Sequence, residues 1–234
     1  MDRQDDHRAA PFLLAEVSRI GPYFALLGED GKGSGHGWQP VASLVDDAET
    51  LSQVIDTVAV RLGGASRWIA ASVFYQGWAA RLTSVYAGSV VVGSAVPDLG
   101  IERLRFRLPQ AGPADLLAAP AVPVDFESGW RRLTDDHLEV LITAVRQQVR
   151  IGSHLLRGNV ASALAGSLAT LAQAGYGSLA VLIRQRWAQP AGLARYGQWL
   201  DATAGPRYRR TTCCGYDQLP HAGRCGDCSL ARRR

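Results

Sequence analysis

Apolar residues recur at helical spacing through much of the chain, and this pattern predicts a mostly helical protein. The stretch 68–94 is the longest apolar-rich segment of the first half, and its stripe indicates a helix packed in the core. An earlier helix is expected over 44–62 and a short one over 11–20. The stripe of 68–94 consists of Phe74, Trp78, Leu82 and Val85, and that of 44–62 of Leu44, Leu51, Val54, Ile55, Val58 and Leu62.

The second half of the chain predicts four more helices. Thr134 is a suitable N-cap, with Asp135 and Asp136 in the first turn, where the helix dipole favours carboxylates. Small residues at four-residue spacing in the next helix, such as Ala161 and Ala165, would let helices approach closely. The four helices are expected at 134–149, from 153 onward, at 178–188 and at 191–201.

Strand-like patterns are short and lie in the first half. Residues 21–27, GPYFALL, contain strand-forming side chains, and 104–108, LRFRL, alternate apolar and basic residues as a half-exposed strand does. Residues 109–129 contain four prolines and are expected to be a linker. The predicted fold class is therefore α+β, predominantly helical, with a small strand region in the N-terminal half. We expect a helical body over 1–207 and a C-terminal cysteine module over 208–234.

One uncharged segment is long enough to cross a membrane. Residues 160–183 carry no charge over 24 residues. They are mostly Ala, Gly and Ser, which gain little from lipid, and the sequence AGYG at 174–177 divides them. We therefore expect two packed interior helices and no stable membrane insertion. The first ten residues, MDRQDDHRAA, are charged and do not resemble a secretory signal, so a cytoplasmic protein is expected.

All four cysteines lie near the C-terminal end, with the spacing C-C-x10-C-x2-C. They are Cys213, Cys214, Cys225 and Cys228. A chain of 234 residues with 47% hydrophobic residues can bury a core without cross-links, so these thiols need another explanation. In a reducing compartment, four clustered thiols are more often metal ligands than disulfides.

The spacing alone leaves a tetrahedral zinc, a two-iron two-sulfur cluster and a metal-free thiol role open. Two residues between Cys225 and Cys228 let both sulfurs face one ion. The side chains of adjacent cysteines diverge, so Cys213 and Cys214 suit two metal centres better than one. From residue 181 onward, ten arginines and three acids give a net charge of +7. These arginines would favour a reduced cluster, but they also suit a zinc-knuckle module that contacts nucleic acid.

The cysteine segment resembles the C-terminal motif of FhuF-type ferric siderophore reductases, in which this spacing binds a two-iron two-sulfur cluster. The similarity includes Tyr216, Pro220, Gly223 and the sequence CGDC at 225–228. Upstream segments are similar to the actinobacterial branch of the same family. They are GPYFA at 21–25, QGWAARLTS at 76–84, VPDL at 96–99 and GNVASALAG at 158–166.

The chain departs from the family pattern at three places. Asp217 and Gln218 stand where a basic residue is common, and Arg157 replaces the tryptophan before GN. His221 and Ala222 stand where a second glycine commonly follows the proline. The four cysteines are kept, so the resemblance still implies cluster binding, whereas substrate preference is open at the changed positions.

The resemblance implies an oxidoreductase that reduces a ferric siderophore, commonly a hydroxamate, by one electron and releases Fe(II) in the cytoplasm. A [2Fe–2S] cluster on the four cysteines would carry the electron, and no catalytic residue beyond the cluster is expected. A ferredoxin or reductase would supply the electron. Nucleic acid is not an expected partner. We expect Arg81, His154 and Asn159 to offer polar groups to the chelate. The alternatives are a zinc-knuckle or nucleic-acid-binding module and a non-catalytic siderophore-binding relative.

Overall fold

Helices dominate the part of the chain that the structure describes. The computed structural model describes residues 14–28, 37–118, 120–188, 192–200, 207–220 and 222–230. It is 61% helix with small sheets, which confirms the predicted α+β, mostly helical class. The helices are α1 (14–18), α2 (Ser43–Asp46), α3 (Ala48–Arg61), α4 (Arg67–Val92), α5 (Phe126–Leu133), α6 (Glu139–Gln148), α7 (Ser153–Leu171) and α8 (Gly177–Ile183). Short π-helical segments continue three of them, at Thr134–Leu138, Ala172–Tyr176 and Arg184–Ala188.

The long helices α4 and α7 form the centre of the fold and make its most extensive helix–helix contact. Small side chains face each other across this contact, so the helix axes can approach closely. The Ser84 and Ser167 hydroxyl oxygens lie 2.8 Å apart across the interface, and Thr83 lies 3.1 Å from the same Ser167 oxygen. Buried hydroxyl groups thus link the two helices at this contact.

Several sequence predictions of helices are confirmed. The helix predicted over 68–94 is α4, and the one predicted from Ser153 is α7. The helix predicted over 44–62 divides into α2 and α3, because the Asp47 carboxylate accepts the Glu49 backbone N–H at 3.0 Å and caps a new helix. Within the short helix predicted over 11–20, residues 14–18 are helical and 11–13 lie outside the described residues.

The strands form three small antiparallel sheets. One has the strand order β1-β3-β4, and the other two are the pairs β2-β5 and β6-β7. Strand β3 confirms the strand predicted at 104–108, and its Phe106 ring packs edge-on against Trp78 of α4, 5.5 Å between centroids. The strands are β1 (Gln39–Pro40), β2 (Val96–Pro97), β3 (Leu104–Arg107), β4 (Asp115–Ala118), β5 (Pro123–Val124), β6 (Gly197–Leu200) and β7 (Arg207–Arg210).

Three predicted elements are wrong. The segment 21–27 is a 3₁₀ turn over Pro22–Phe24, followed by a single bridge from Leu27 to Leu117. The expected linker over 109–129 contains β4, β5 and the start of α5, which begins eight residues before the expected N-cap Thr134. Residues 192–200 form a 3₁₀ turn and β6 rather than the helix predicted over 191–201. In each case, pairing with a distant strand or packing on a helix outweighs local propensity.

The uncharged segment 160–183 is divided as predicted. Gly175 has a φ of 96° and separates α7 from α8. The expectation that both helices are interior is wrong for α8, where only Ala180 and Ile183 are buried and Leu182 is 57% exposed. The helical run Ser153–Arg186 is long and apolar enough to cross a membrane by length and composition alone. The absence of membrane insertion therefore stays a prediction.

The β6–β7 hairpin connects the cysteine segment with the helical body. Tyr208 of β7 and Tyr196 pack together against Ala161 and Ala165 of α7. These alanines, expected to let helices approach, here let a hairpin lie flat on the helix. The boundary expected between residues 207 and 208 falls inside β7. Beyond β7, Thr212 lies against Gly158 of α7 and Gly215 lies against Trp68 of α4.

Candidate metal centre and adjoining groove

The four cysteines are free thiols within one short segment. Cys214 and Cys228 are buried, whereas Cys213 and Cys225 are half-buried. The sulfur atoms of Cys214 and Cys225 lie 4.0 Å apart. Two sulfurs at about 2.3 Å from one tetrahedral ion are about 3.8 Å apart, so this pair has the spacing of two ligands of one metal.

Cys213 turns away from its neighbour Cys214. Its thiol donates to the Asp217 carboxylate, with Sγ 3.1 Å from Oδ1, and its sulfur accepts the Gly215 backbone N–H at 3.4 Å. Gly215 has a φ of 83°, a backbone conformation that favours glycine. It also lies against the Trp68 indole at the start of α4, so a Cβ atom at this position would collide with the ring. Adjacent cysteines thus point in different directions, as the sequence suggested.

Burial raises the pKa of the Cys213 thiol. Burial also raises the pKa of the Cys225 thiol, and the neighbouring Cys214 and Asp227 add to the shift. Both shifts favour the protonated thiol. A metal cation acts in the opposite direction and holds its ligands as thiolates, so metal binding at this segment would release protons.

A buried arginine anchors the cysteine segment on both long helices. Arg210 is 2% exposed, and its Nη2 donates to Asn159 Oδ1 of α7 at 2.5 Å. Its Nη1 donates to Gln76 Oε1 of α4 at 3.3 Å. Its Nε lies 3.7 Å from Asp227 Oδ2, and its backbone N–H donates to the Asp227 carbonyl at 3.0 Å. Arg210 therefore ties α4 and α7 to the CGDC turn, since Asp227 lies between the second pair of cysteines.

The sequence Gly158-Asn159 on α7 forms the contact surface for Arg210 and the residues that follow it. The Asn159 amide nitrogen donates to the Ser72 carbonyl at 3.0 Å and to the Ser72 hydroxyl at 3.1 Å, which directs its oxygen toward Arg210. A Cβ atom at Gly158 would collide with the Thr212 hydroxyl. Glycine at 158 and asparagine at 159 thus let the residues before Cys213 lie directly on the helix.

A groove of about 870 Å³ runs between α4, α7, the 21–24 turn and the cysteine segment. Residues 225–228 are part of its lining, so Cys225 and Cys228 both border the space. This volume falls in the range of about 300–1,000 Å³ typical of small-molecule sites. Apart from Gln76, the lining residues of α4 and α7 are small or bear a hydroxyl group. Tyr23, Arg207 and Arg209 also line the space.

The structure places the three predicted substrate residues at separate positions, and none of them is part of the described lining of the groove. Arg81 is 3% exposed and donates to the Pro22 and Ala25 carbonyls, so it holds the turn that borders the groove. Asn159 is fully buried and bonded to Arg210. His154 is exposed, with its ring 4.8 Å from the Tyr196 ring. A role of these residues toward a chelate stays a prediction.

Sequence reasoning missed Arg210, Asp227 and Gln76. A signal for Arg210 was available in RYRR at 207–210, because strand alternation places Tyr208 and Arg210 on one face, and both are buried. The family-like segment QGWAARLTS begins with Gln76, but nothing local in it indicated a partner 134 positions away.

The donor set fits a two-iron two-sulfur cluster in number and type, since four thiols lie in one segment and two have ligand spacing. Among the described residues, which leave out His221, no three His, Cys, Asp or Glu side chains lie close enough together to hold one metal ion. The divided arrangement of Cys213 and Cys214 suits two centres better than a single tetrahedral ion.

Comparisons with known proteins add no family to this picture. A scan of protein-family models and a search of curated proteins gave no match to the chain. The resemblance to siderophore reductases therefore stays a prediction from the sequence motifs, and the function has to be argued from the site.

Proposed function

We propose that the chain is a [2Fe–2S] ferric siderophore reductase. This oxidoreductase transfers one electron to the Fe(III) of a siderophore in the cytoplasm, and the siderophore is a hydroxamate. The observation that carries this proposal is the groove of about 870 Å³ whose lining includes Cys225 and Cys228. A chelate held in this groove would lie beside two of the four thiols expected to hold the cluster. Short distance between donor and acceptor is the main requirement of electron transfer.

The walls of the groove suit a large, preformed chelate. Ala165 and Gly166 of α7 leave room for a bulky ligand, and Gln76, Ser162 and Thr170 offer amide and hydroxyl groups to its oxygen-rich surface. Asp227 is the one carboxylate of the described lining, and it is paired with Arg210. Electron transfer needs neither a nucleophile nor a general acid. A groove whose one carboxylate is already paired with an arginine therefore fits this function.

The siderophore iron is the substrate, and its change of charge releases it. Oxygen chelators hold the hard Fe(III) ion tightly and the softer, less charged Fe(II) ion weakly. A two-iron cluster, when bound, stores and passes one electron at a time. One electron from a reduced ferredoxin or reductase therefore balances each Fe(III) that becomes Fe(II), and the chelator is unchanged. Arg210 holds the CGDC turn in place, so the distance from the thiols to the groove stays fixed.

The proposal is tested by a single-turnover reaction. Protein reconstituted with iron and sulfide under anaerobic conditions is reduced with dithionite, freed of excess reductant and mixed with a ferric hydroxamate. A ferrous-specific chelator then counts the Fe(II) released. We expect about one Fe(II) per reduced cluster, and loss of the reaction in Cys228→Ser.

The alternatives give different results in the same preparation. A colourless protein that holds one zinc per chain after aerobic purification would contradict the reductase proposal and favour the zinc-knuckle module. A brown protein that binds the ferric hydroxamate but releases no Fe(II) after reduction would instead indicate a non-catalytic siderophore-binding relative.

A further inference from the structure

The arrangement of the thiols bears on a question that the sequence leaves open, namely which cysteines share a metal ion. Four cysteines can be divided into two pairs in three ways. The sequence spacing lets Cys225 and Cys228 face one ion, but it sets Cys213 and Cys214 apart, so it does not decide the division. The contacts in the structure favour one of the three.

The thiol–thiol contact described in the structure joins the two motifs. Cys214 Sγ lies 4.0 Å from Cys225 Sγ, close to the separation of about 3.8 Å for two sulfurs on one tetrahedral ion. Sulfurs on the two different irons of a cluster are farther apart, because the second iron and the bridging sulfides lie between them. Cys214 and Cys225 are therefore placed as ligands of the same ion.

Cys213 cannot join that pair without leaving its own contacts. Its thiol is directed at Asp217, 3.1 Å away, and its sulfur accepts the Gly215 N–H. The side chains of Cys213 and Cys214 therefore have different partners, Asp217 for Cys213 and Cys225 for Cys214. The second ion is left with Cys213 and Cys228.

We propose that the four cysteines divide between two metal ions as Cys214 with Cys225 and Cys213 with Cys228, an inference that rests on the proposed function for the identity of the ions. Each ion then links the first motif to the second, so neither motif holds an ion by itself. Cys225 and Cys228 both line the groove, so each ion has one ligand at the wall that a chelate would contact.

The first test uses metal-free protein and Cd²⁺ as the probe, so it does not depend on cluster assembly. Double serine variants of the full chain keep two cysteines each, and the ultraviolet absorbance of cadmium–thiolate bonds reports binding. We expect the variants that keep Cys214 with Cys225, or Cys213 with Cys228, to bind Cd²⁺ at least about tenfold more tightly than the four other pairs. The tightest binding by the pair Cys225 with Cys228, or by Cys213 with Cys225, would overturn the proposal. Near-ultraviolet circular dichroism checks that each variant is folded.

A second test uses the reconstituted protein and the four single Cys→Ser variants. Serine oxygen on one iron changes the electron paramagnetic resonance spectrum of the reduced cluster in a way that depends on which iron carries it. We expect the spectra of Cys214→Ser and Cys225→Ser to match each other, and those of Cys213→Ser and Cys228→Ser to form a second matching set. Matching spectra of Cys225→Ser and Cys228→Ser would overturn the pairing. If no cluster assembles in the wild-type chain, the proposed function fails while the Cd²⁺ result still decides the pairing.

Discussion

Arg210 is the residue on which the position of the cysteine segment depends. A guanidinium taken out of water loses its hydration, and this loss is offset only if hydrogen-bond acceptors and an opposite charge surround it. Asn159, Gln76 and the Asp227 carboxylate supply these groups from α7, α4 and the CGDC turn. A single side chain therefore couples the two long helices to the candidate metal site.

Removing this guanidinium should destabilise the protein. Arg210→Met leaves Asn159 Oδ1 and the Asp227 carboxylate without their partner, so we expect the free energy of unfolding to fall by about 3 kcal/mol. Chemical denaturation of the metal-free protein measures the change. Arg209→Met is the matched control, because Arg209 lies on the other face of β7 and has no ion pair within the described residues; its effect should stay below about 0.5 kcal/mol. Similar losses in both variants would contradict the anchoring role.

His137 is a second buried polar residue with a measurable consequence. Its Nε2 accepts the Trp78 indole N–H at 2.9 Å, so its Nδ1 carries the proton and donates to the Leu99 carbonyl at 2.7 Å. The neutral ring satisfies both partners, whereas a protonated ring would meet the Trp78 donor with another donor. Burial accordingly lowers the pKa of His137 from 6.5 to about 4.

This lowered pKa makes the stability pH-dependent in a defined window. Because the unfolded chain binds a proton near pH 6.5 and the folded protein only near pH 4, the stabilisation is present above pH 6.5 and is lost as the pH falls toward 4. We expect the free energy of unfolding to drop by about 2 kcal/mol between pH 7 and pH 5. Denaturation curves at the two pH values measure the drop. His137→Gln, which does not titrate, should show a clearly smaller one; an equal drop would assign the effect to other groups.

At the scale of elements, the segment between α7 and α8 shows how one glycine sets a chain direction. Gly175 adopts a φ of 96° inside an otherwise helical run, which ends the buried helix α7 and starts the exposed helix α8. L-amino acids other than glycine rarely adopt this conformation, because Cβ approaches the following carbonyl oxygen. The break visible in the sequence as AGYG is therefore a conformational requirement at one position.

Replacing this glycine should cost stability, and a neighbouring glycine provides the control. We expect Gly175→Ala to lower the free energy of unfolding by about 1–2 kcal/mol. Gly177 has a φ of −55° and open space around its Cα, so Gly177→Ala should raise it by about 0.5 kcal/mol. Thermal or chemical denaturation of the two variants measures both effects. A stabilising Gly175→Ala would show that the kink is absent in solution.

The elements that the sequence predicted correctly are those with a long local pattern. The helices α4 and α7 each span many turns, so their apolar spacing stands out. The four-residue strand β6 was instead expected to be helical. It exists because Trp199 pairs with Tyr208 and Gly197 with Arg210, and such pairing leaves no local signal.

At the scale of the whole molecule, the groove brings together residues from both ends of the chain. It lies between the turn at 21–24 and the cysteine segment at 225–228, with α4 and α7 as its walls. Its width depends on small residues, among them Gly166, which is exposed and has no atom within 4 Å of the place where a Cβ would stand. A larger side chain at this position would fill the groove without disturbing the packed core.

Filling the groove should block the proposed substrate while it leaves the candidate metal site intact. We expect Gly166→Phe to weaken binding of a ferric hydroxamate by about tenfold or more, with unchanged cluster absorbance and an unchanged denaturation midpoint. Fluorescence titration of the reconstituted protein measures the affinity. Gly77→Phe is the matched control, because Gly77 is also a helical glycine with open space but does not line the groove. Equal affinity in wild type and Gly166→Phe would show that the chelate binds elsewhere.

The sequence by itself determined the helical class, the break at Gly175 and the four-thiol donor set, because spacing between near neighbours encodes each of these features. Only the tertiary structure decided which thiols meet, which residues form the groove and why Gly158-Asn159 stands on α7. The physical reason is sequence separation: Arg210 contacts residues 51 and 134 positions away, and no local periodicity carries information over such distances. The four thiols were visible in the sequence, whereas their arrangement depended on the packing of α4 against α7.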